Sequence, residues 1–404
     1  MSLLGNITRR GMFRASAATA VTVTAVGLLA GCRHSGDETS DPVVVDERAA
    51  NNIFDEDNAY EEVDLPLGEP SSWTLPAGTV LRQAEGTWIP ALTEGDSAIP
   101  VVKAAALSTK TGELVDVISN LVMGNEPNMT IYDVRCSDEL YAWIEMDMLS
   151  RNWALYAQGF SEGKVSGSVA TLWKGDDQWD PPLFAVAGRR VIWQVMPAIS
   201  GSKTRESSYC YLWHLGDSDA QAVVESPGRF ATPPAISEGT VTLAPRVRAE
   251  EGVFYGITAY SLSDDMVTVI DQLVLPQSVR PFRAVRMGDR FAFSIEANYS
   301  SGGLLGQMGT YIGTGDGPFV TLVREPAAQV AGKDNVFIIK SRASYFVIDV
   351  DKETYSILSA TNRCVDYGEY PASEGTTSSF VTFATVKDAK TGYPSAVSVR
   401  NFAL

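Results

Sequence analysis

From residue 130 onward the chain repeats a unit of 43 to 51 residues. A repeat of that length constrains a fold more than composition does, because each unit must be a supersecondary piece that buries its apolar face on its neighbours. The copies are "IYDVRCSDELYAWIE" from residue 131, "PPLFAVAGRRVIWQV" from 181, "PPAISEGTVTLAPRV" from 233, "PFRAVRMGDRFAFSI" from 281, "PAAQVAGKDNVFIIK" from 326 and "YPASEGTTSSFVTFA" from 370. Each opens with a short Pro/Ala-rich apolar piece, passes a Gly or Asp turn and enters a β-type run. Anchored on Asp138, Gly188, Gly239, Gly288, Gly332 and Gly375, the steps are 50, 51, 49, 44 and 43 residues. Five residues beyond these anchors stand Trp143, Trp193, Ala244, Phe293, Phe337 and Phe380, five of six aromatic in a chain with 9% aromatics.

The second half of each unit holds two β-runs joined by a polar turn, as in "YLWHLGDSDAQAVVE" from 211, "TAYSLSDDMVTVIDQL" from 258 and "YFVIDVDKETYSILS" from 345. "AALSTKTGELVDVIS" from 105 has the same form, which places an earlier unit start near Gly86. Four short strands per 40 to 50 residues predict an all-β fold, a β-propeller of four-stranded antiparallel blades. Residues 71–404 divided over seven starts give about 48 residues per blade. Seven blades are therefore expected, with six or eight compatible with the weakly marked first unit. The last unit ends after about three strands, and a strand drawn from "SWTLPAGTVLRQ" (72–83) completes it. "MGDRFAFSIEA" and "YFVIDVDKETYSILS" resemble repeats of TolB-like and WD-type propellers. That likeness implies the fold and leaves the activity open, since propellers host enzymes, binders and scaffolds alike.

The N-terminus reads as an address rather than as structure. "TRRGMFR" sets Arg9 and Arg10 ahead of a 16-residue apolar run, 15–30, shorter than the roughly 20 residues that span a bilayer. It resembles the twin-arginine export signal, with Met12 where that signal prefers phenylalanine. Leu29-Ala30-Gly31-Cys32 resembles the bacterial lipobox, which implies cleavage before Cys32 and lipid attachment to its thiol. Two or three acyl chains anchor stably where one is marginal. The competing reading is an uncleaved signal anchor. Residues 33–70 carry 12 acids and two bases, a net of -10, and predict a flexible extended tether. "FDEDNAYEEVD" (54–64) lacks the Asp-x-Asp-x-Asp-Gly spacing of a calcium loop and reads as a solvated charge run.

A net charge of -17 argues against nucleic acid, which needs a basic face. Cys136, Cys210 and Cys364 show no metal-ligand spacing. They read as buried apolar thiols, or as one pair with a thiol left over. "GFSEG" (159–163) matches Gly-x-Ser-x-Gly, but no helical stretch follows it and the motif reads as a hairpin turn. Only His34 and His214 exist, too few for a catalytic triad or zinc site to assemble readily. No phosphate-cradling glycine loop, metal set or cofactor fingerprint is present. Arg246, Arg248, Arg283 and Arg286 are candidates for an anionic ligand near a central channel, against the alternative of salt bridging. Most acids, among them Asp217, Asp219, Asp264, Asp265 and Asp316, fall in predicted turns.

The expectation is a lipid-anchored bacterial lipoprotein on the outer face of the membrane, binding or scaffolding a protein or small molecule through its propeller. The alternative is a glycosidase-like hydrolase or lyase using inner-strand carboxylates. A third reading, an accessory subunit of an exported redox complex, rests on the export route alone.

Overall fold

The computed structural model describes residues 50–55, 60–64, 67–68, 70–93, 101–124, 126–277, 279–295, 308–315, 317–323, 329–341, 344–360 and 368–404. Among them are seven small antiparallel sheets arranged as a β-propeller. Blades 1 to 6 span 79–118, 129–175, 183–226, 235–274, 281–323 and 330–359. Blade 7 spans 369–403, and its fourth strand is Ser71–Pro76 from the N-terminal side. Within each blade the first strand in sequence is innermost, and the sheet steps outward. Turns between strands 1 and 2 and between 3 and 4 share one end of the ring, called here the turn end. Connections between strands 2 and 3 and between blades share the other, the loop end.

Seven buried apolar clusters hold the ring, and each joins two consecutive blades. One of them packs Leu75, Val381, Val397 and Val399 of blade 7 on Leu81, Ile89, Ala91 and Leu107 of blade 1. The ring is therefore closed. The closing strand pairs antiparallel with the C-terminal strand, Trp73 opposite Val399 and Leu75 opposite Val397. The stretch 72–83 is thus two elements rather than one: Ser71–Pro76 finishes blade 7, and Thr79–Leu81 begins blade 1. Gly78, with a φ of 77°, turns the chain between them.

The aromatic repeat is the inter-blade core. Trp143, Trp193, Phe293, Phe337 and Phe380 all lie in second strands and are at most 1% exposed. The two small residues in this register, Ala91 and Ala244, are fully buried. A four-stranded sheet cannot bury both faces alone, so each large ring fills the space to the next blade. Phe293 stacks on Tyr311 at 5.6 Å and meets Phe319 edge-on at 5.7 Å. Trp193 stacks on Tyr211 at 5.6 Å.

The stretch expected to hang free as a tether is in part built into the propeller. Ala50–Asn52 adds a parallel strand outside blade 5, and Glu61–Glu62 does the same on blade 6. Ile53 is buried between those blades, and Phe54 meets Phe346 and Tyr355 edge-on at 5.4 and 5.8 Å. The acidic composition masked four apolar residues, Ile53, Phe54, Tyr60 and Val63, that have outer blade edges to cover. Unpaired edges present open hydrogen-bonding groups, and the added strands satisfy them. Arg9, Arg10, Cys32, His34, Asp316 and Cys364 lie outside the described residues, as do 33–49.

Candidate functional site

The first strands surround a central channel that is obstructed at the turn end. In blade 7 the connection after Glu369–Pro371 is long, and residues 372–378 cross the axis. Gly375 and Thr376 pair with Ala331 and Gly332 of blade 6. On the far side the Thr376 amide donates to Ser237 Oγ of blade 4 at 3.1 Å. The crossing is close, since a Cβ on Gly375 would lie 2.7 Å from the Ile236 carbonyl oxygen, and φ there is 75°. Only glycine accommodates both constraints. A cavity of about 140 Å³ remains beside the plug, lined by Glu85, Glu238, Glu374 and Arg135.

Toward the loop end the channel widens to a mouth of about 530 Å³, lined by Arg82, Arg135, Arg283, Gln329, Tyr370 and Phe383. Asp133 Oδ1 lies 2.9 Å from Arg82 Nε and 2.7 Å from an Arg135 guanidinium nitrogen. Arg135 also donates to the Val134 carbonyl at 2.7 Å and stands 5.4 Å from the Phe184 ring centre. Arg283 has no ion-pair partner within 4 Å among the described residues. Its charge acts on Glu374 on the plug. Burial pushes the Glu374 carboxyl above its ordinary range, and Arg283 and Arg135 pull it back down.

Glu85 is exposed as a residue, but its carboxylate is drawn onto the Gly188 amide at 2.5 Å. Desolvation raises it too, against the lowering effect of that hydrogen bond. Asp138, Arg190 and Glu139 are the charges that act on Glu85, whereas Arg283 and Arg135 act on Glu374. Different charges therefore dominate the two carboxyls. The other deeply buried acids anchor structure. Glu145 accepts from the amides of Val122 and Met123 and from Trp143 Nε1. Glu369 takes Arg400 through Nε at 3.0 Å and Nη2 at 2.5 Å.

The four arginines proposed from sequence do not converge. Arg283 faces the mouth. Arg286 turns between blades 4 and 5, 3.5 Å from Asp271. Arg246 and Arg248 sit in the loop-end connection of blade 4, away from the channel lining. There the Arg246 side chain lies against Gly228, and its amide donates to Ser226 Oγ at 2.9 Å. The residues that join Arg283 in the channel, Arg82, Arg135 and Glu374, were not singled out. They stand four, three and one residues before the anchors Gly86, Asp138 and Gly375. These offsets differ from one another and from that of Arg283, five before Gly288, so the register that located the aromatic core does not mark this inner lining.

"GFSEG" is a hairpin: Glu162 and Gly163 have φ of 48° and 78° between strands Trp153–Ser161 and Lys164–Gly175. Such a two-residue turn with positive φ at both positions suits strand twist and offers no helix behind a nucleophile. His214 ends a strand of blade 3 and lies 3.0 Å from Asp265 of blade 4, which Arg190 also approaches at 3.2 Å. Cys136 and Cys210 are free, buried thiols pushed up by burial. Among the described residues no group of three His, Cys, Asp or Glu is placed to hold a metal.

Large exposed apolar side chains gather at the loop end. Leu149 is 83% exposed, Ile199 and Tyr393 are 74% exposed, and Met148, Val122 and Met123 join them. At the opposite end Val267 is exposed in a turn of blade 4, with Val269 and Ile270 partly exposed in the strand that follows it. The Asn128 amide and the amides of Leu149 and Ser150 donate to Asp147, holding the Met148–Leu149 tip in place. These bonds depress the Asp147 carboxyl to about 2.

No protein-family model and no curated protein matches this sequence. Solved structures do match in fold. The β-propeller domain of the Trilobed protease from Pyrococcus furiosus aligns with a TM-score of 0.50 and 11% identity, over 80% of this chain and 95% of that one. A prolyl endopeptidase aligns at 0.47 and 13% identity, and this chain spans only 47% of its length. Prp20p from Saccharomyces cerevisiae, described with its binding to Gsp1p and histones, aligns at 0.43 and 9% identity over 84% of this chain and 92% of that one. At these identities the likeness shows the propeller fold alone.

Proposed function

We propose that this chain is a lipid-anchored, extracytoplasmic binding protein that receives its partner at the loop end of the propeller. The observation that carries this reading is the asymmetry of the channel. One end is crossed by residues 372–378, and among the described residues the other opens as a mouth of about 530 Å³. Exposed apolar side chains are concentrated around the open end, where a partner can cover them. The turn end instead carries carboxylates at its tips, including Glu85, Asp138, Glu139, Glu238, Asp264 and Asp289.

The N-terminal strand supports the orientation. Ala50–Asn52 runs parallel to Phe319–Val323, with Ala50 opposite Phe319, so the chain reaches Ala50 from the turn end. A lipid on Cys32 then tethers the propeller from its turn-end side and leaves the loop end free to face outward. Residues 33–49 span at most roughly 60 Å when extended. Membrane fractions from the native host test the anchor. Wild type is expected to carry lipid on Cys32 and sediment with membranes, and Cys32→Ala to lose both. Retention of residues 1–31 in both proteins contradicts the anchor. Serine replacements of Met148, Leu149 and Ile199 are expected to abolish co-purification of the partner, and Val267→Ser to leave it unchanged. The opposite pattern contradicts the loop-end reading.

A further inference from the structure

We propose that the channel mouth is a binding site for a small aromatic monocarboxylate, with Arg283 as its principal charged contact. The inference rests on the loop end being the binding end and names what the channel itself takes. Three guanidinium groups, Arg82, Arg135 and Arg283, line the mouth. Two carboxylates oppose them: Asp133, shared by Arg82 and Arg135, and Glu374 beneath. Of the three, Arg283 alone has no carboxylate within 4 Å among the described residues, so its guanidinium is the one left to meet an anion. In a chain of net charge -17, a cation facing a cavity without a close partner marks a place where an anion is favoured.

That single unpaired guanidinium also selects the ligand class. A monoanion matches it, whereas a dianion such as phosphate sets a second negative charge near Glu374 in a partly desolvated site. A guanidinium presents a planar fork that matches carboxylate geometry. The apolar half of the ligand is set by the wall. Tyr370 and Phe383 both line the mouth with ring centres 6.4 Å apart and planes tilted by 44°. Lys340 Nζ lies 3.5 Å from the Tyr370 ring centre, holding that ring from its own blade. A cavity of about 530 Å³ suits one ring and its acid chain.

The test is titration calorimetry on the full chain with 3-phenylpropionate, its neutral amide, propionate and inorganic phosphate, against wild type, Arg283→Gln and Tyr370→Ala. Saturable binding of 3-phenylpropionate is expected. The amide and the Arg283→Gln protein should each lose about tenfold or more in affinity, the scale of a charge-assisted hydrogen bond. Tyr370→Ala should weaken 3-phenylpropionate but not propionate. An unchanged melting temperature in Arg283→Gln separates lost binding from lost fold. Equal binding of acid and amide, equal binding by Arg283→Gln, tighter binding of phosphate, or no saturable binding up to 10 mM, roughly the weakest affinity worth calling a site, each overturns the proposal. Partner capture at Leu149 that persists in Arg283→Gln would leave the loop-end reading standing while the channel site falls.

Discussion

Leu75→Ala addresses the closure of the ring. Leu75 belongs to the one strand that joins the N-terminal side to blade 7, and it is packed into the cluster between blades 7 and 1. The substitution leaves the pairing of Ser71–Pro76 with the C-terminal strand in place and removes apolar volume alone. Two to three methylene equivalents at about 0.8 kcal/mol each give roughly 2 kcal/mol. The cavity left among Leu81, Ile89, Val381 and Val397 adds to that, for a total of about 3 kcal/mol. A domain of roughly 330 residues unfolds with an entropy near 0.7 kcal/mol/K, so the melting temperature should fall by about 4 °C. Scanning calorimetry measures the shift. Hydrogen exchange should locate it, with amides of Val381 and Val397 in blade 7 and Ile89 in blade 1 opening first. Ser72→Ala, at an exposed position of the same strand, should stay within about 0.5 kcal/mol of wild type. If Leu75→Ala melts within about 1 °C of wild type, the closing strand does not hold the ring and the reasoning fails.

Glu369→Leu removes the buried carboxylate that Arg400 meets and should cost about 3–5 kcal/mol in denaturant unfolding. Replacing the pair together, Glu369→Leu with Arg400→Met, should recover more than half of that loss. The docked N-terminal segment has an alkaline signature. Burial and Glu353 raise Tyr60 to about 12, so its neutral form is favoured in the folded protein. Its contribution is intact below pH 10 and is lost as pH rises toward 12. Tyr60→Phe should match wild type in melting temperature near pH 7 and exceed it progressively across that alkaline window. Asp147 has the opposite sign: its contribution is present above its ordinary value of 3.8 and fades as pH falls toward 2. Asp147→Ala should speed amide exchange at Leu149 and Ser150 at pH 7.

The propeller repeat and its core were legible because a propeller repeats one local solution. The Gly or Asp anchor sets the turn, and five residues later the chain needs bulk to fill the gap to the next blade. Trp143, Trp193 and Phe293 obey that rule, and Ala244 departs from it where Tyr311 and Phe319 fill the neighbouring cluster. The docked segment was not legible. Ile53 and Phe54 sit in an acidic run with no periodicity, and the burial of Ile53 and the ring contacts of Phe54 depend on edges of blades 5 and 6 supplied some 270 residues later. The channel residues were only partly legible. Arg283 and Arg286 stand three apart on one strand and so face opposite sides of it, one toward the mouth and one toward Asp271. Convergence of Arg135, Arg283 and Glu374 from blades 2, 5 and 7 is a property of closing the ring, which no local pattern records.

The most direct test of the loop-end account is a photo-crosslinking residue placed at Leu149 and, separately, at Val267, expressed at native level in the host cell. The account predicts one discrete protein adduct from Leu149, lost when Met148 and Ile199 are both changed to serine, and none from Val267. An adduct that forms from Val267 and not from Leu149 would contradict it.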